Sequence, residues 1–198
     1  MALELVIFDL DGTLIEPALD FDAIKREIGL PADQPILEAM EGLDEAARGG
    51  ANRILDRHEE EAAARSRLMP GARALLGWLR RRGVRIAVLT RNSRTSVRRA
   101  ARRHGLRFDA IVAREDKRPK PSPDGVRHLM AACGAGPDET VVVGDYRFDV
   151  EAGAAAGCRT VALVASPAPP WAARATWRAG ALAEVQAILQ RFAQNKAG

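Results

Sequence analysis

A short apolar run that ends in two closely spaced acids constrains this chain more than any other feature. Residues 3–8 are almost entirely apolar, and they lead directly into Asp9-Leu10-Asp11-Gly12-Thr13. Such a run, bounded by a glycine, predicts a buried β-strand. At the carboxyl end of a strand the chain leaves the pleat, so both carboxylates can converge on one crevice. Acids this close need a cation between them or different protonation states, a pairing that is typical of phosphoryl transfer.

The rest of the chain alternates between strand and helix patterns. Short runs rich in β-branched residues occur at 84–90, 110–113, 140–145 and 160–164. The segments between them are long enough for crossover helices, and Gly83 and Gly105 stand where two of those helices should end. Together with the first run, these segments predict an α/β fold with a doubly wound parallel sheet.

Residues 15–68 lack any strand signal. They predict helices at 21–28, 34–47 and 51–67, with breaks at Gly29, Pro31 and the pair Gly49-Gly50. We therefore predict two domains. The α/β core comprises residues 1–14 and 69–198, and residues 15–68 form a small helical cap inserted into it.

Composition excludes several classes of protein. No apolar stretch approaches the roughly 20 residues of a membrane span, and the N-terminus lacks a leader pattern, so we expect a cytoplasmic protein without a membrane partner. Cys133 and Cys158 lie in or beside apolar segments and are expected to be buried free thiols. The arginine-rich segment 91–107 has no acidic residue, but its helical periodicity predicts a solvated face, and it lacks aromatic residues for base stacking. We expect no nucleic-acid partner and a monomer or weak homodimer.

Polar residues follow the second and third predicted strands. Thr90 offers a hydroxyl, and Asn92 or Ser93 caps the next helix, whose free N–H groups suit a phosphate. Lys120 lies between prolines that restrict the backbone and confine its ammonium group, with Lys117 as the competing cation.

The fourth predicted strand ends in Asp145, and Asp149 follows four residues later. Both acids overlook the same edge of the sheet as Asp9 if a helix begins between them. Magnesium prefers oxygen ligands in an octahedron and keeps several waters, so Asp9 and Asp145 with backbone oxygen and water would suffice. The same two acids also fit a role as helix-capping residues.

The order of these four groups resembles the motifs of the haloacid dehalogenase superfamily, in its phosphatase branch with a helical cap after the first strand. The resemblance spans about residues 3–164 and implies a Rossmann-like core. It also implies that Asp9 attacks phosphorus to form an aspartyl-phosphate, that Asp11 protonates the leaving alcohol and then activates water, and that Thr90 and Lys120 hold the phosphoryl oxygens. The implied Mg²⁺ site consists of Asp9, the backbone carbonyl of Asp11, Asp145 and, through water, Asp149.

Some positions depart from the family pattern. Arg91 separates Thr90 from Asn92, whereas relatives usually place asparagine directly after the hydroxyl residue. The candidate substrate-binding residues are Thr90, Arg91, Asn92 and Lys120. Arg91 forms an ion pair at the crevice rim in the alternative interpretation. Tyr146 either narrows the site or covers its edge. Arg48, at the Gly49-Gly50 break, is a weaker candidate for a substrate carboxylate.

The predicted function is Mg²⁺-dependent hydrolysis of a small phosphorylated metabolite, similar to that of phosphoglycolate phosphatases. A sugar-phosphate mutase shares all four motifs and stays open as an alternative, as does a non-catalytic binding protein on the same fold. Dehalogenation is disfavoured because dehalogenases of this superfamily lack an aspartate at the place of Asp11.

Overall fold

A six-stranded, entirely parallel sheet organises the protein. The computed structural model describes residues 3–194, and its strands pair in the order β3-β2-β1-β4-β5-β6. The strands are β1 (Leu5–Phe8), β2 (Arg85–Leu89), β3 (Ala110–Val112), β4 (Thr140–Gly144), β5 (Arg159–Leu163) and β6 (Trp177–Ala179). The predicted α/β fold with a parallel, doubly wound sheet is confirmed.

Helices cover both faces of the sheet. The core helices are α4 (Ala72–Arg81), α5 (Arg94–His104), α6 (Asp124–Cys133), α7 (Arg147–Ala155) and α8 (Leu182–Gln194). Side chains of α4, α5 and α8 pack in the apolar cluster on one face, and those of α6 and α7 pack in the cluster on the other. β1 lies between them, with Val6 and Phe8 in the first cluster and Leu5 and Ile7 in the second. This alternation explains why the whole β1 run is apolar.

Three helices form an insertion between β1 and α4: α1 (Phe21–Ile28), α2 (Ile36–Glu41) and α3 (Glu45–Arg65). We call them the helical insertion. They share an apolar cluster of their own that includes Ile24, Met40 and Leu55.

The predicted break at Gly49-Gly50 is wrong, because α3 runs through both glycines without interruption. The carboxylate of Asp44 caps the helix by accepting from the N–H of Ala47 at 2.8 Å. Two interior glycines cost about 2 kcal/mol relative to alanine. The cap and the buried face that begins at Ala51 and Leu55 offset this cost.

The C-terminal region contains a strand that the sequence analysis missed. β6 is only three residues long, and Trp177 within it packs edge-on against Phe192 of α8, with ring centroids 5.7 Å apart. Cys133 and Cys158 are buried and free, as predicted. Among the helices of residues 3–194, none is both long and apolar enough to cross a membrane.

Candidate active site

The acidic residues meet at the carboxyl edge of the sheet, where β1 lies between β2 and β4. Strand order reverses at this point, which is where open α/β sheets bind ligands. The N–H of Asp9 donates to the carbonyl of Val143 at 2.9 Å, so β1 and β4 are still paired where the loop that carries Asp9 and Asp11 begins. The chain then turns at Gly12, whose φ of +79° favours glycine. A Cβ there would lie 2.2 Å from a carboxylate oxygen of Asp145, so glycine also lets that acid approach.

Asp9, Asp145 and Asp149 form one cluster, with a carboxylate oxygen of each lying within 4.8 Å of the others. The buried ammonium group of Lys120 donates to Asp9 Oδ1 at 2.6 Å and to Asp149 Oδ1 at 2.5 Å. Lys117 is exposed instead, so the loop directs Lys120 into the site. The structure therefore brings together the residues that the sequence placed at the ends of separate strands.

Asp149 is held by two donors of the protein itself. Its Oδ1 accepts from Lys120, and its Oδ2 accepts from the N–H of Tyr146 at 3.0 Å. A Cβ at Gly144 would lie 2.1 Å from the carboxylate carbon of Asp149, so only glycine at the end of β4 admits this arrangement. With both oxygens engaged, Asp149 is suited to orient Lys120 and to support a metal through water.

The chemistry of this cluster fits a hard divalent cation. Asp145 carries a pKa raised to about 7, first because it is buried and then because the charges of Asp9 and Asp149 are close. The hydroxyl of Thr13 donates to its Oδ1 at 3.1 Å and partly opposes that rise. Lys120 supplies one positive charge against three carboxylates, so a divalent cation would balance the remaining charge. Asp9 and Asp145 are the carboxylates placed to hold it.

Asp11 lies beside this cluster but in a different environment. Burial and the charge of Asp9 raise its pKa to about 7, and the amide of Asn92, which donates to its Oδ2, opposes the rise. Both protonation states of Asp11 are therefore populated near neutral pH, as a group that first gives and then takes a proton requires.

The N-terminus of α5 differs from the prediction. Ser93 caps the helix, as expected, by accepting from the N–H of Ser96 at 3.3 Å. Several N–H groups at and just before the start of the helix already have partners, however, including that of Arg94, which donates to Glu115 at 3.2 Å. The N–H of Asn92 donates to the hydroxyl of Thr90 at 3.2 Å, and that of Ser93 donates to the carboxylate of Glu59 at 2.7 Å. A side chain from the helical insertion thus takes the place where an anion was expected.

Glu59 was missed by the sequence analysis. It lies on the buried face of α3 and pairs with Arg114, which also binds Asp56 at 2.5 Å. Burial raises the pKa of Glu59, and Arg114 opposes that rise. The sequence does contain a pattern that predicts the burial of Glu59, because it follows Ala51 and Leu55 at positions i, i+4 and i+8 of the inward-facing side of α3. A charged residue on such a stripe needs a partner.

Comparison with known proteins agrees with this geometry. Residues 3–157 match the family model described as haloacid dehalogenase-like hydrolase. The chain belongs to this family. The hydrolase is 33% identical over 165 residues to a hydrolase of Saccharomyces cerevisiae, covering 80% of this chain and 76% of that one. It is 30% identical over 188 residues to the phosphoglycolate phosphatase of Rhodospirillum rubrum, covering 80% and 78%.

A solved structure supports the fold. The crystal structure of a hydrolase from Pseudomonas syringae superimposes with a TM-score of 0.82, covering 96% of this chain and 99% of that one at 20% identity. The match of residues 3–157 to the family model and the identity to the phosphatase of Rhodospirillum rubrum confirm the predicted resemblance to this family, and the protein is an enzyme of the hydrolase class.

Arg91 joins the core of the hydrolase to its helical insertion. Its guanidinium makes two hydrogen bonds to Glu38 of α2, at 2.9 and 2.5 Å, and donates to the backbone carbonyl of Lys120. It also stacks 4.7 Å from the ring centre of Phe148. Burial raises the pKa of Glu38, but the hydrogen bonds and charge of Arg91 outweigh this and hold the pKa below its usual value.

A cavity of about 440 Å³ lies between the helical insertion and the carboxyl edge of the sheet. The hydrolase places all of the predicted site residues on its wall: Asp9, Asp11, Thr90, Arg91, Asn92, Lys120, Asp145 and Asp149. Arg48 is not among the wall residues, because its guanidinium instead donates to the carbonyls of Met40, Glu41 and Leu43 at the end of α2.

Proposed function

We propose that this hydrolase is a Mg²⁺-dependent phosphatase that acts through an aspartyl-phosphate. One observation carries the proposal: Asp9 lies in a cavity together with a buried lysine and two further acids, all at one edge of the sheet. Phosphoryl transfer spreads negative charge over peripheral oxygens, so a fixed ammonium beside the acceptor carboxylate is what this reaction requires.

In this mechanism Asp9 is the nucleophile. Its carboxylate attacks phosphorus, the bond from phosphorus to the ester oxygen breaks, and the phosphoryl group is carried by Asp9. Lys120, held by Asp9 and Asp149, and the hydroxyl of Thr90 bind the phosphoryl oxygens. Asp9, the backbone carbonyl of Asp11 and Asp145 would hold Mg²⁺, which would supply positive charge beside the phosphate.

Asp11 moves the protons. In its neutral form it donates a proton to the departing alkoxide, and as a carboxylate it then takes a proton from the water that hydrolyses the aspartyl-phosphate. The amide of Asn92, bonded to Asp11 Oδ2, fixes the direction of the carboxyl group.

The proposed substrate is a small phosphorylated metabolite. The cavity volume supports this size, and the relative from Rhodospirillum rubrum is named as a phosphoglycolate phosphatase. We further propose that the enzyme works in the cytoplasm as a monomer or weak homodimer, without a nucleic-acid or membrane partner.

Replacement of the nucleophile tests the proposal. Asp9→Asn should reduce phosphate release from 4-nitrophenyl phosphate with Mg²⁺ by at least about a thousandfold, the loss typical for a catalytic nucleophile. The control is Asp22→Asn, an exposed acid of α1 outside the cavity, which should keep normal turnover. In Asp11→Asn, mass spectrometry should detect the phosphorylated peptide that contains Asp9. Near-normal turnover by Asp9→Asn would reject the mechanism.

A mutase remains the alternative, since it would use the same nucleophile and lysine. The products separate the two functions. A phosphatase releases one inorganic phosphate for each hexose phosphate consumed, whereas a mutase converts it into an isomer without net phosphate release.

A further inference from the structure

Two aromatic side chains stand out on the surface. Phe21 is 55% exposed and Tyr146 is 48% exposed, and they are the only large hydrophobic side chains of residues 3–194 that are exposed. Both line the active-site cavity. Exposed aromatic rings that coincide with a cavity mark a binding surface more strongly than scattered ones do.

The two rings come from different parts of the fold. Phe21 is the first residue of α1 in the helical insertion, and Tyr146 stands between β4 and α7 in the core. Tyr146 is fixed by its neighbours, because it packs edge-on against Phe148 at 5.0 Å between ring centres and lies 6.2 Å from Trp171. A ligand that touches both Phe21 and Tyr146 therefore bridges the insertion and the core.

Most of the remaining cavity wall is apolar, although Asp33 and Gln34 also line it. Its apolar side chains come from the insertion and the loop before it: Pro17, Leu19, Pro35, Ile36, Leu37 and Leu55. The acids and Lys120 lie together on the β1 and β4 loops. The cavity thus offers a charged phosphate region and an apolar region for the rest of a substrate.

Two of the cations on this wall are already engaged. Arg91 is paired with Glu38, and the ammonium of Lys25 donates to the carbonyl of Ala32 at 2.7 Å. Arg147 lies over the ring of Phe148, 4.9 Å from its centre. Arg147 also lies 5.9 Å from the ring centre of Tyr146. Recruiting Arg91 or Lys25 for a substrate carboxylate would break an existing contact, whereas about half of the surface of Phe21 and Tyr146 is accessible to a ligand.

From these observations we propose that Phe21 and Tyr146 form a binding site for a planar, apolar leaving group, so that the preferred substrates are aryl or arylalkyl phosphate monoesters. This inference rests on the proposed phosphatase function. An apolar cavity of about 150 Å³ holds a benzene ring, so the volume of about 440 Å³ has room for a ring and a phosphate.

Benzyl phosphate and 2-hydroxyethyl phosphate provide the test, because both release a primary alcohol and differ mainly in the ring. We expect kcat/KM for benzyl phosphate to exceed that for 2-hydroxyethyl phosphate and for phosphoglycolate by at least about tenfold, the effect of one buried aromatic contact. Phe21→Ala and Tyr146→Ala should each lower the ratio of benzyl to hydroxyethyl kcat/KM several-fold. Tyr146→Phe, which keeps the ring, should retain it.

The control variant is Arg26→Ala, an exposed residue of α1 outside the cavity, which should leave the ratio unchanged. Calorimetry provides a readout without turnover, since benzylphosphonate should bind the wild-type protein about tenfold more tightly than methylphosphonate and Phe21→Ala should remove the difference.

The outcomes separate this inference from the proposed function. Phosphate release with a preference for phosphoglycolate, or a ratio that both alanine variants leave intact, would overturn the aromatic site while the phosphatase stands. Absence of phosphate release from all three esters with Mg²⁺ would overturn the phosphatase and the inference together.

Discussion

Arg91 and Glu38 form an ion pair that ties the loop after β2 to α2 of the helical insertion. The contact is bidentate, and the side chains are only 19% and 37% exposed. Because Arg91 also donates to the carbonyl of Lys120, the residue that contacts the insertion is hydrogen-bonded directly to the loop that carries the buried lysine of the site. The position of the insertion and the geometry of the phosphate site are thereby connected.

Unfolding in urea should reveal this connection. We expect Glu38→Gln to cost about 0.5–1 kcal/mol, the range for a well-formed pair near the surface. Arg91→Gln should cost about 1–2 kcal/mol, since it also removes the donor to Lys120 and the stacking on Phe148. The double variant should show a coupling energy of about 0.5–1 kcal/mol.

A second ion pair between the core and the helical insertion serves as the control. Arg99 and Glu60 lie 3.6 Å apart and are 49% and 41% exposed, so their coupling should be close to zero. Equal losses in Glu38→Gln and Arg91→Gln would contradict the additional role assigned to Arg91.

Magnesium should stabilise the protein more at high pH than at low pH. A carboxyl with a folded-state pKa above its unfolded value binds its proton more tightly when folded. Asp11 and Asp145 each have a pKa raised from the usual 3.8 to about 7. Their stabilising contribution is therefore complete below about pH 4 and is lost as the pH rises through 7. A cation bound by the ionised carboxylate of Asp145 would restore part of this lost stability.

Thermal unfolding with excess Mg²⁺ or with chelator measures this effect. Saturating Mg²⁺ should raise the Tm by about 5 °C at pH 8, and by less than half as much at pH 5.5, where protons compete for the same oxygens. Asp145→Asn should stabilise the metal-free protein at pH 8 and abolish the response to Mg²⁺. An equal Mg²⁺ shift at both pH values would show that the cation binds elsewhere.

Gly144→Ala should damage the site without replacing a charged residue. The added Cβ would lie 2.1 Å from the carboxylate carbon of Asp149, so this side chain must move away from Lys120. We expect a loss of about 2 kcal/mol, or roughly 5 °C in Tm, together with a fall in kcat of at least about tenfold.

The same substitution at Gly49 is the matched control. Gly49 lies inside α3, and a Cβ there meets only a side-chain nitrogen of Arg53, at 3.7 Å. Gly49→Ala should therefore raise the free energy of unfolding by about 0.5–1 kcal/mol and leave kcat unchanged. Destabilisation would mean that α3 does break at this point.

Features that depend on neighbours in sequence were predictable. The apolar run of β1, the helix that begins after Ser93 and the acids at the ends of β1 and β4 each carry a local signal. Because all strands of the sheet are parallel, their carboxyl ends lie at one edge, and the meeting of Asp9, Lys120 and Asp145 follows from topology.

Features that depend on distant contacts required the tertiary structure. Glu38 pairs with Arg91, which lies 53 residues away in the sequence, and Glu59 accepts from the N–H of Ser93, which lies 34 residues away. No periodic pattern in the sequence predicts either partner. The continuity of α3 through Gly49-Gly50 and the short strand β6 depend in the same way on packing that outweighs local propensity. Sequence alone determined five of the six strands and the edge of the sheet where the acids meet, because strand and helix periodicity are encoded locally. Only the folded chain decided how the helical insertion closes the site, because that surface is assembled from side chains that become neighbours only on folding.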